Sequence, residues 1–227
     1  SFWKMHGAGN DFILVDDRTE IFPISDRAWL RHICARRDGI GAEGLLLLQN
    51  SKTAHVRMRF FNPDGSKADL CGNGARCVAR LAYDLGIAPR EMRLETDAGE
   101  ISAAILADTV RLGLPEPENI RLGARLEIPG MPPKFVDLIK VGVPHAIVWV
   151  ENLETVDVAG LGAAIRNHKD LAPAGANVDF VEITQDGLLR TRTYERGVEA
   201  ETLACGTGIA ASAVAAVLGK KAEPPVR

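Results

Sequence analysis

Cys71-Gly72-Asn73-Gly74-Ala75-Arg76-Cys77-Val78-Ala79-Arg80-Leu81-Ala82 and Cys205-Gly206-Thr207-Gly208-Ile209-Ala210-Ala211-Ser212-Ala213-Val214-Ala215-Ala216 carry one pattern twice. Each opens with C-G-x-G and runs into a stretch of small residues with helical character. A helix that starts on glycine, alanine and serine can sit deep inside a curved sheet, because nothing bulky holds the strands away. The two copies lie in halves of similar length. This predicts an internal duplication, with a site at the interface of two similar domains, 1–114 carrying Cys71 and 115–227 carrying Cys205.

The flanking sequence supports a mixed α/β chain. Phe2 to Met5 and Phe12 to Val15 read as strands around the turn Gly7-Ala8-Gly9-Asn10. Ser25 reads as the cap of a helix with Trp29, Leu30, Ile33 and Cys34 on one face. Leu45 to Leu48 is a short, wholly apolar strand, and Val56 to Phe60 alternates as a half-buried one does. Asn62-Pro63-Asp64-Gly65 has turn composition. Cys77, Val78, Leu81, Ala82 and Leu85 fall on one stripe of the first cysteine helix, which Gly86 is expected to stop. Strands follow near Met92 to Thr96, Glu100 to Leu106 and Val110 to Leu114, and Pro115-Glu116-Pro117 breaks the pattern. In the second half, Pro129 to Pro133 reads as loop. Ala146 to Val150, Asn177 to Phe180 and Leu188 to Tyr194 read as strands, and Val158 to His168 as a helix. The second cysteine helix ends at Gly219. Asn10-Asp11-Phe12 is echoed by Asn177-Val178-Asp179-Phe180. The strand end at Phe61, ten positions before Cys71, is echoed by Tyr194, eleven before Cys205.

Composition narrows the function. The chain is 46% hydrophobic and 25% charged, as ordinary globular proteins are. Its 27 basic and 30 acidic residues leave a net charge of −3 with no basic tract, which argues against nucleic acid or an anionic membrane as partner. No apolar run reaches the about 20 residues that cross a bilayer. Nothing at Ser1 reads as a signal peptide. Four cysteines without paired spacing are neither a disulfide framework nor a zinc site, and suggest a reducing, cytoplasmic setting. Cys34 and Cys77 read as core residues. His6, His145 and His168 read as core or hydrogen-bonded side chains, and His32 and His55 as surface.

A thiol at a helix N-terminus faces unpaired N–H groups and the positive end of the dipole, which favours the thiolate. Two such thiols on one substrate carbon would remove a proton from one side and return one on the other, as paired general acid–base catalysis. The same N-termini would hold the substrate carboxylate, where charge accumulates, with no cofactor and no metal. Gly72, Gly74, Gly206 and Gly208 permit close approach, and Asn73 and Thr207 add donors. Glu195-Arg196 suits a zwitterionic amino-acid end, Glu accepting from an ammonium and Arg pairing with a carboxylate. Asn10, Asn62 and Asn177 sit at turns or strand ends. The plainer alternatives are an inert buried cysteine, a surface ion pair and ordinary turn asparagines.

The chain resembles the diaminopimelate epimerase family. The matching stretches are Lys4 to Phe12, Phe61 to Ser66, Cys71 to Cys77, Tyr194 to Gly197 and Ala204 to Gly208, spread in family order along nearly the whole chain. The resemblance implies an α/β fold of the α+β type. Two pseudo-symmetric domains each wrap a curved, mostly antiparallel sheet around a central helix. It implies interconversion of L,L- and meso-diaminopimelate, a step of lysine biosynthesis, by a homodimer without pyridoxal phosphate or metal. It casts Cys71 and Cys205 as the two bases. Gly72, Asn73, Gly206 and Thr207 fall around the reacting carboxylate, and Asn10, Asn62, Asn177, Glu195 and Arg196 around the distal end. The chain departs from the family at Val143, where many members carry Asn, and at Gly44, where many carry Gln. Its loop from Glu195 to Cys205 is one residue longer, and a final strand is expected beyond Arg227. The competing readings are a proline or hydroxyproline racemase of the same fold, a phenazine-type isomerase, and, from another class, a dithiol redox protein. The absence of C-x-x-C argues against the last.

Overall fold

In the computed structural model, which describes residues 1–227, the chain divides into two compact units, Ser1–Pro115 and Glu116–Arg227. The first unit opens with the hairpin of β1 (Trp3–Gly7) and β2 (Asn10–Asp16), turned on Ala8 and Gly9, both at positive φ. Such a turn matches the twist of the flanking strands. Helix α1 (Arg27–Cys34) leads to β3 (Leu45–Gln49), β4 (Val56–Phe61) and the two-residue β5 (Lys67–Ala68). The first cysteine helix, α2 (Gly72–Asp84), then precedes β6 (Glu91–Thr96), β7 (Gly99–Ile105) and β8 (Val110–Gly113). The sheet runs β1-β2-β3-β4-β6-β7-β8, with β5 on β4. Only the β2–β3 and β4–β6 pairs are parallel. Helix α2 packs on strands from one edge, β1, to the other, β8, so the sheet curls around it. Alternate residues explain the two faces. Phe12, Leu14, Leu46 and Phe60 turn toward α2, while Ile13, Leu45, Leu47 and Phe61 pack with Leu30 and Cys34 of α1. With both faces covered, Leu45 to Leu48 must be wholly apolar, and all four are buried.

The second unit contains β9 (Glu118–Leu126), β10 (Lys134–Val141), β11 (Val143–Trp149), α3 (Val158–Arg166), β12 (Asn177–Ile183), β13 (Leu189–Glu195), β14 (Ala200–Thr202) and the second cysteine helix, α4 (Gly206–Leu218). Its sheet runs β14-β13-β12-β11-β10-β9, with only β11–β12 parallel. Helix α4 packs on β10 to β13, and α3 on β12 to β14.

The ladders align the repeat residue by residue. Hairpin, helix, parallel strand, antiparallel strand, short strand and cysteine helix follow one another in both units, β1 to α2 matching β10 to α4. Leu14, Leu46 and Phe60 stand across β2, β3 and β4, as Ile147, Asp179 and Thr193 stand across β11, β12 and β13. Two residues before Leu14 and Ile147 lie Phe12 and His145. This corrects one expectation. Asn10 opens β2, whose counterpart is β11, so its repeat partner is Val143 and not Asn177, which opens β12. The similarity of two short N-x-D-F-like strings misled because both begin strands.

Other corrections are local. Helix α1 is capped by Asp26, whose carboxylate accepts the Trp29 N–H at 2.9 Å, and not by Ser25. Strands β9 and β10 were not legible in the sequence. The β9 residues Ile120 and Leu122 are exposed, and Phe135 on β10 is 65% exposed while its neighbour but one, Asp137, is buried. Asp137 can lie inside because it accepts from Gly123 N–H at 2.8 Å and Trp149 Nε1–H at 2.7 Å. The apolar alternation is thereby inverted. Strands β5 and β14 are too short to leave a periodic signal. His6 is exposed, which removes the core half of the expectation of a core or hydrogen-bonded side chain.

Candidate active site

Cys71 is the N-cap of α2, half-buried, with extended backbone (φ −133°, ψ 114°). Its Sγ accepts the Gly74 N–H at 3.4 Å, a contact that stabilises negative charge on sulfur. Gly72 is the first helical residue and Asn73 the second, the latter buried. Asn73 Nδ2 donates to Asn10 Oδ1 at 2.6 Å, and Asn73 Oδ1 accepts from Arg76. Asn10 in turn donates to Glu43. Asn10 and Asn73, assigned by the resemblance to opposite ends of a substrate, are thus directly bonded. Asn62 keeps to its own turn, Nδ2 donating to Ser66 Oγ at 3.0 Å. Gly74 has no room for a side chain, since a Cβ would lie 2.9 Å from Leu46 Cδ2.

Cys205 holds the same place before α4, with φ −116° and ψ 102°, but is buried and makes no cap bond of that kind. Its Sγ lies 3.5 Å from Thr207 Oγ1 and 3.9 Å from Asn177 Nδ2. Asn177 Oδ1 accepts the Arg196 N–H at 2.8 Å, so Asn177 links Arg196 to the sulfur. The Arg196 guanidinium donates to Ala174 O at 3.2 Å. Glu195 ends β13, and Gly206 opens α4. Burial, then the carboxylates of Asp179 and Glu195, push the Cys205 thiol up to about 12, against smaller opposing effects of the Thr207 hydroxyl and the Gly208 amide. At neutral pH this sulfur carries its proton.

Behind Thr207 lies a network absent from the expected site. His145 Nδ1 is 2.7 Å from Asp179 Oδ2, and His145 Nε2 is 3.0 Å from Thr207 Oγ1. Asp179 Oδ1 accepts the Thr193 hydroxyl at 2.7 Å. His145 and Asp179 side chains are wholly buried. The one available signal was an aspartate inside an otherwise apolar strand, Asn177-Val178-Asp179-Phe180-Val181, where an unpartnered carboxylate is costly. Cys34 and Cys77 are buried, and burial pushes the Cys77 thiol to about 11, as suits core residues. No group of three or more His, Cys, Asp or Glu side chains is placed to hold a metal ion.

Known proteins resemble this chain in sequence and in fold. The family model for diaminopimelate epimerase matches residues 2–116 and 138–226, leaving out all of β9, the turn after it and the first half of β10. The chain is 41% identical to the diaminopimelate epimerase of Aquifex aeolicus over 233 residues, covering 96% of this chain and 81% of that protein. It is 44% identical to that of Chlorobaculum tepidum over 227 residues, covering 98% and 86%. Among solved structures, a probable proline racemase from Agrobacterium radiobacter superposes with a TM-score of 0.71 at 19% identity, covering 98% of this chain and 78% of that one. A Bacillus anthracis phenazine biosynthesis protein of the PhzF family gives 0.68 at 16%, covering 95% and 78%. These distant likenesses bear on the fold alone. Sequence identity over almost the whole chain carries further: this chain belongs to the diaminopimelate epimerase family, a family of isomerases.

Proposed function

We propose that the chain converts L,L-diaminopimelate into meso-diaminopimelate and back, Cys71 and Cys205 acting as base and acid on one α-carbon. The observation that carries this is a cysteine at the start of each 13-residue helix, one with an amide aimed at its sulfur and one buried as a thiol. One thiolate takes the α-proton and the other thiol delivers a proton to the opposite face. In the reverse direction the roles exchange. The N–H groups of Gly72 and Asn73, and of Gly206 and Thr207, receive the charge that gathers on the carboxylate in the transition state. Asn10, Asn62, Asn177, Glu195 and Arg196 hold the non-reacting amino-acid end. No step requires a cofactor or metal. The protein works as a cytoplasmic homodimer, a setting consistent with thiol chemistry. No helix is long and apolar enough to cross a membrane.

The test is proton NMR of L,L-diaminopimelate in D2O with reduced enzyme. Loss of the α-proton signal with growth of the meso isomer supports the reading. Exchange of proline or hydroxyproline instead would transfer the same two-thiol chemistry to a smaller substrate, an outcome that Val143 in place of a polar residue makes worth including. Exchange of neither, with reversible Cys71–Cys205 disulfide formation, would favour a redox role.

A further inference from the structure

The repeat provides an internal control for the buried network behind Cys205. At the positions of Phe12, Leu46 and Phe60 in the first unit stand His145, Asp179 and Thr193 in the second. In the first unit these side chains make an apolar cluster, with Phe12 and Phe60 edge to face at 6.1 Å. In the second they are hydrogen-bonded, at 2.7 Å on both sides of Asp179. The equivalence is independently marked by the helix glycines, since a Cβ on Gly74 would strike Leu46 and one on Gly208 would strike Asp179. The first unit shows that this fold closes its core with hydrocarbon at these places. A buried carboxylate–imidazole pair is therefore not needed for packing, and burying it carries a desolvation cost.

The direction of the hydrogen bonds says what it does. The Asp179 carboxylate accepts only, so His145 Nδ1 donates, and in the neutral imidazole Nε2 is left an acceptor. Nε2 then accepts the hydrogen bond of the Thr207 hydroxyl. Thr207 Oγ1, with its one O–H directed at Nε2, can only accept from Cys205, 3.5 Å away. Along the chain Cys205–Thr207–His145–Asp179 each bond points from the thiol toward Asp179, which favours the proton on Cys205.

Resting on the two-cysteine reading above, we propose that Asp179, acting through His145 and Thr207, holds Cys205 as the proton donor of the pair. When Cys205 delivers its proton to the substrate, the Thr207 hydroxyl rotates to donate to the new thiolate. His145 Nε2 then loses its donor until the thiol is restored. Asp179 and His145 are positioning residues, and Thr207 is the rotor between them and the sulfur. The other groups facing Cys205 are Glu195, whose charge also disfavours the thiolate, and the Asn177 side-chain amide and the Gly208 backbone N–H, which oppose that effect.

Two readouts that need no turnover test this. Nitrogen-15 histidine NMR of the intact protein near pH 7.5, with the His145 signals identified by their loss in His145→Gln, is expected to show Nδ1 protonated and Nε2 bare. A proton on Nε2 at rest would overturn the proposal. The second readout is the rate of Cys205 alkylation by iodoacetamide, located by peptide mass spectrometry. In Asp179→Asn the amide oxygen keeps the Thr193 bond and the NH2 replaces Oδ2, donating to Nδ1. The imidazole proton moves to Nε2, and Thr207 turns to donate to sulfur. Alkylation at pH 8 is expected to rise at least ten-fold in Asp179→Asn. It should stay near the wild-type rate in Thr207→Ser and fall in Thr207→Val. In the Asp179→Asn/Thr207→Val double variant the ten-fold gain should shrink to a small residue. A full, additive gain in the double variant would mean that Asp179 acts by charge alone, and the relay would be wrong. If the Asp179 and Thr207 variants fail to fold, the NMR result on the wild type, assigned with His145→Gln, still decides. If the wild type exchanges no α-proton, the enzymatic reading fails while both readouts of the relay stand.

Discussion

Cys71 and Cys205 cap helices of equal length with the same C-G-x-G opening, yet they lie in opposite surroundings. Cys71 is half-buried over hydrocarbon, above Leu46, with an amide N–H on its sulfur. Cys205 is buried above Asp179, with a carboxylate-anchored chain of hydrogen bonds leading away from it. Duplication supplied the scaffold twice, while the residues beneath each helix make the surroundings of the two thiols unequal. A proton-in, proton-out reaction needs that inequality: one sulfur must start without a proton and the other with one.

The largest expected effect comes from removing either sulfur. Cys71→Ala and Cys205→Ala should each lower the rate of α-proton exchange about 10²–10⁴-fold, the usual scale of acid–base catalysis. Near-wild-type exchange in either variant would break the pairing. Next, copying the polar residue of one unit into the other should fail. Leu46→Asp places a buried carboxylate beside Phe12 and Phe60 with no partner, and should cost about 3–5 kcal/mol in urea unfolding. A smaller cost would mean that the first unit tolerates the polar arrangement, and the contrast would lose its force. The glycines sharpen the same point on a finer scale. A Cβ at position 208 would come within 2.2 Å of Asp179 Oδ1, against 2.9 Å from Leu46 at position 74. Both alanine variants should lose about 1–3 kcal/mol, Gly208→Ala more, because a fixed carboxylate yields less than a leucine methyl. The reverse order would show that Asp179 is free to move.

The pH dependence follows from the sign of each shift. The folded Cys205 thiol sits at about 12 and Cys77 at about 11, above the ordinary thiol value of 9.0. The native chain therefore binds more protons than the unfolded one in that range. Stability from these groups is present below pH 9.0 and is lost as the pH rises toward about 12. Denaturant midpoints measured from pH 8 to 11 should fall, and Cys77→Ala should flatten part of that fall. The smallest effect concerns Asp11. The Arg36 guanidinium and then Lys4 hold its carboxyl well below the usual carboxylate range, so its contribution is lost as the pH drops below that range. The site is partly exposed, and Asp11→Asn should cost no more than about 1 kcal/mol. An acid unfolding midpoint unchanged by that substitution would assign the acid limb to other carboxylates.

Much of the fold was legible because its signals are local. Leu45 to Leu48 reads as a fully covered strand, Val56 to Phe60 alternates, and each C-G-x-G stretch announces a helix start. The failures are equally physical. Strand β10 hides because Asp137 lies inside and Phe135 outside, a reversal that only the Gly123 and Trp149 donors make tolerable. Ser25 and Asp26 are both competent caps, and backbone geometry chose the second. Among the candidate site residues, sequence places Cys71 and Cys205 at their helices. It could not tell that Asn10 bonds to Asn73, that Asn177 joins Arg196 to Cys205, or that Val143 is the repeat partner of Asn10.

By itself, the sequence determined that the chain is a duplicated α+β protein with a cysteine at the head of each small-residue helix, because helix starts, strand periodicity and motif spacing are properties of neighbouring residues. Only the tertiary structure decided that the cysteines differ. Asp179 lies 26 residues before Cys205 and His145 a further 34 before Asp179, and a strand ladder, not chain proximity, brings them together. The charge and hydrogen bonds that set a proton's position depend on distances of a few ångströms, which the folded sheet alone fixes.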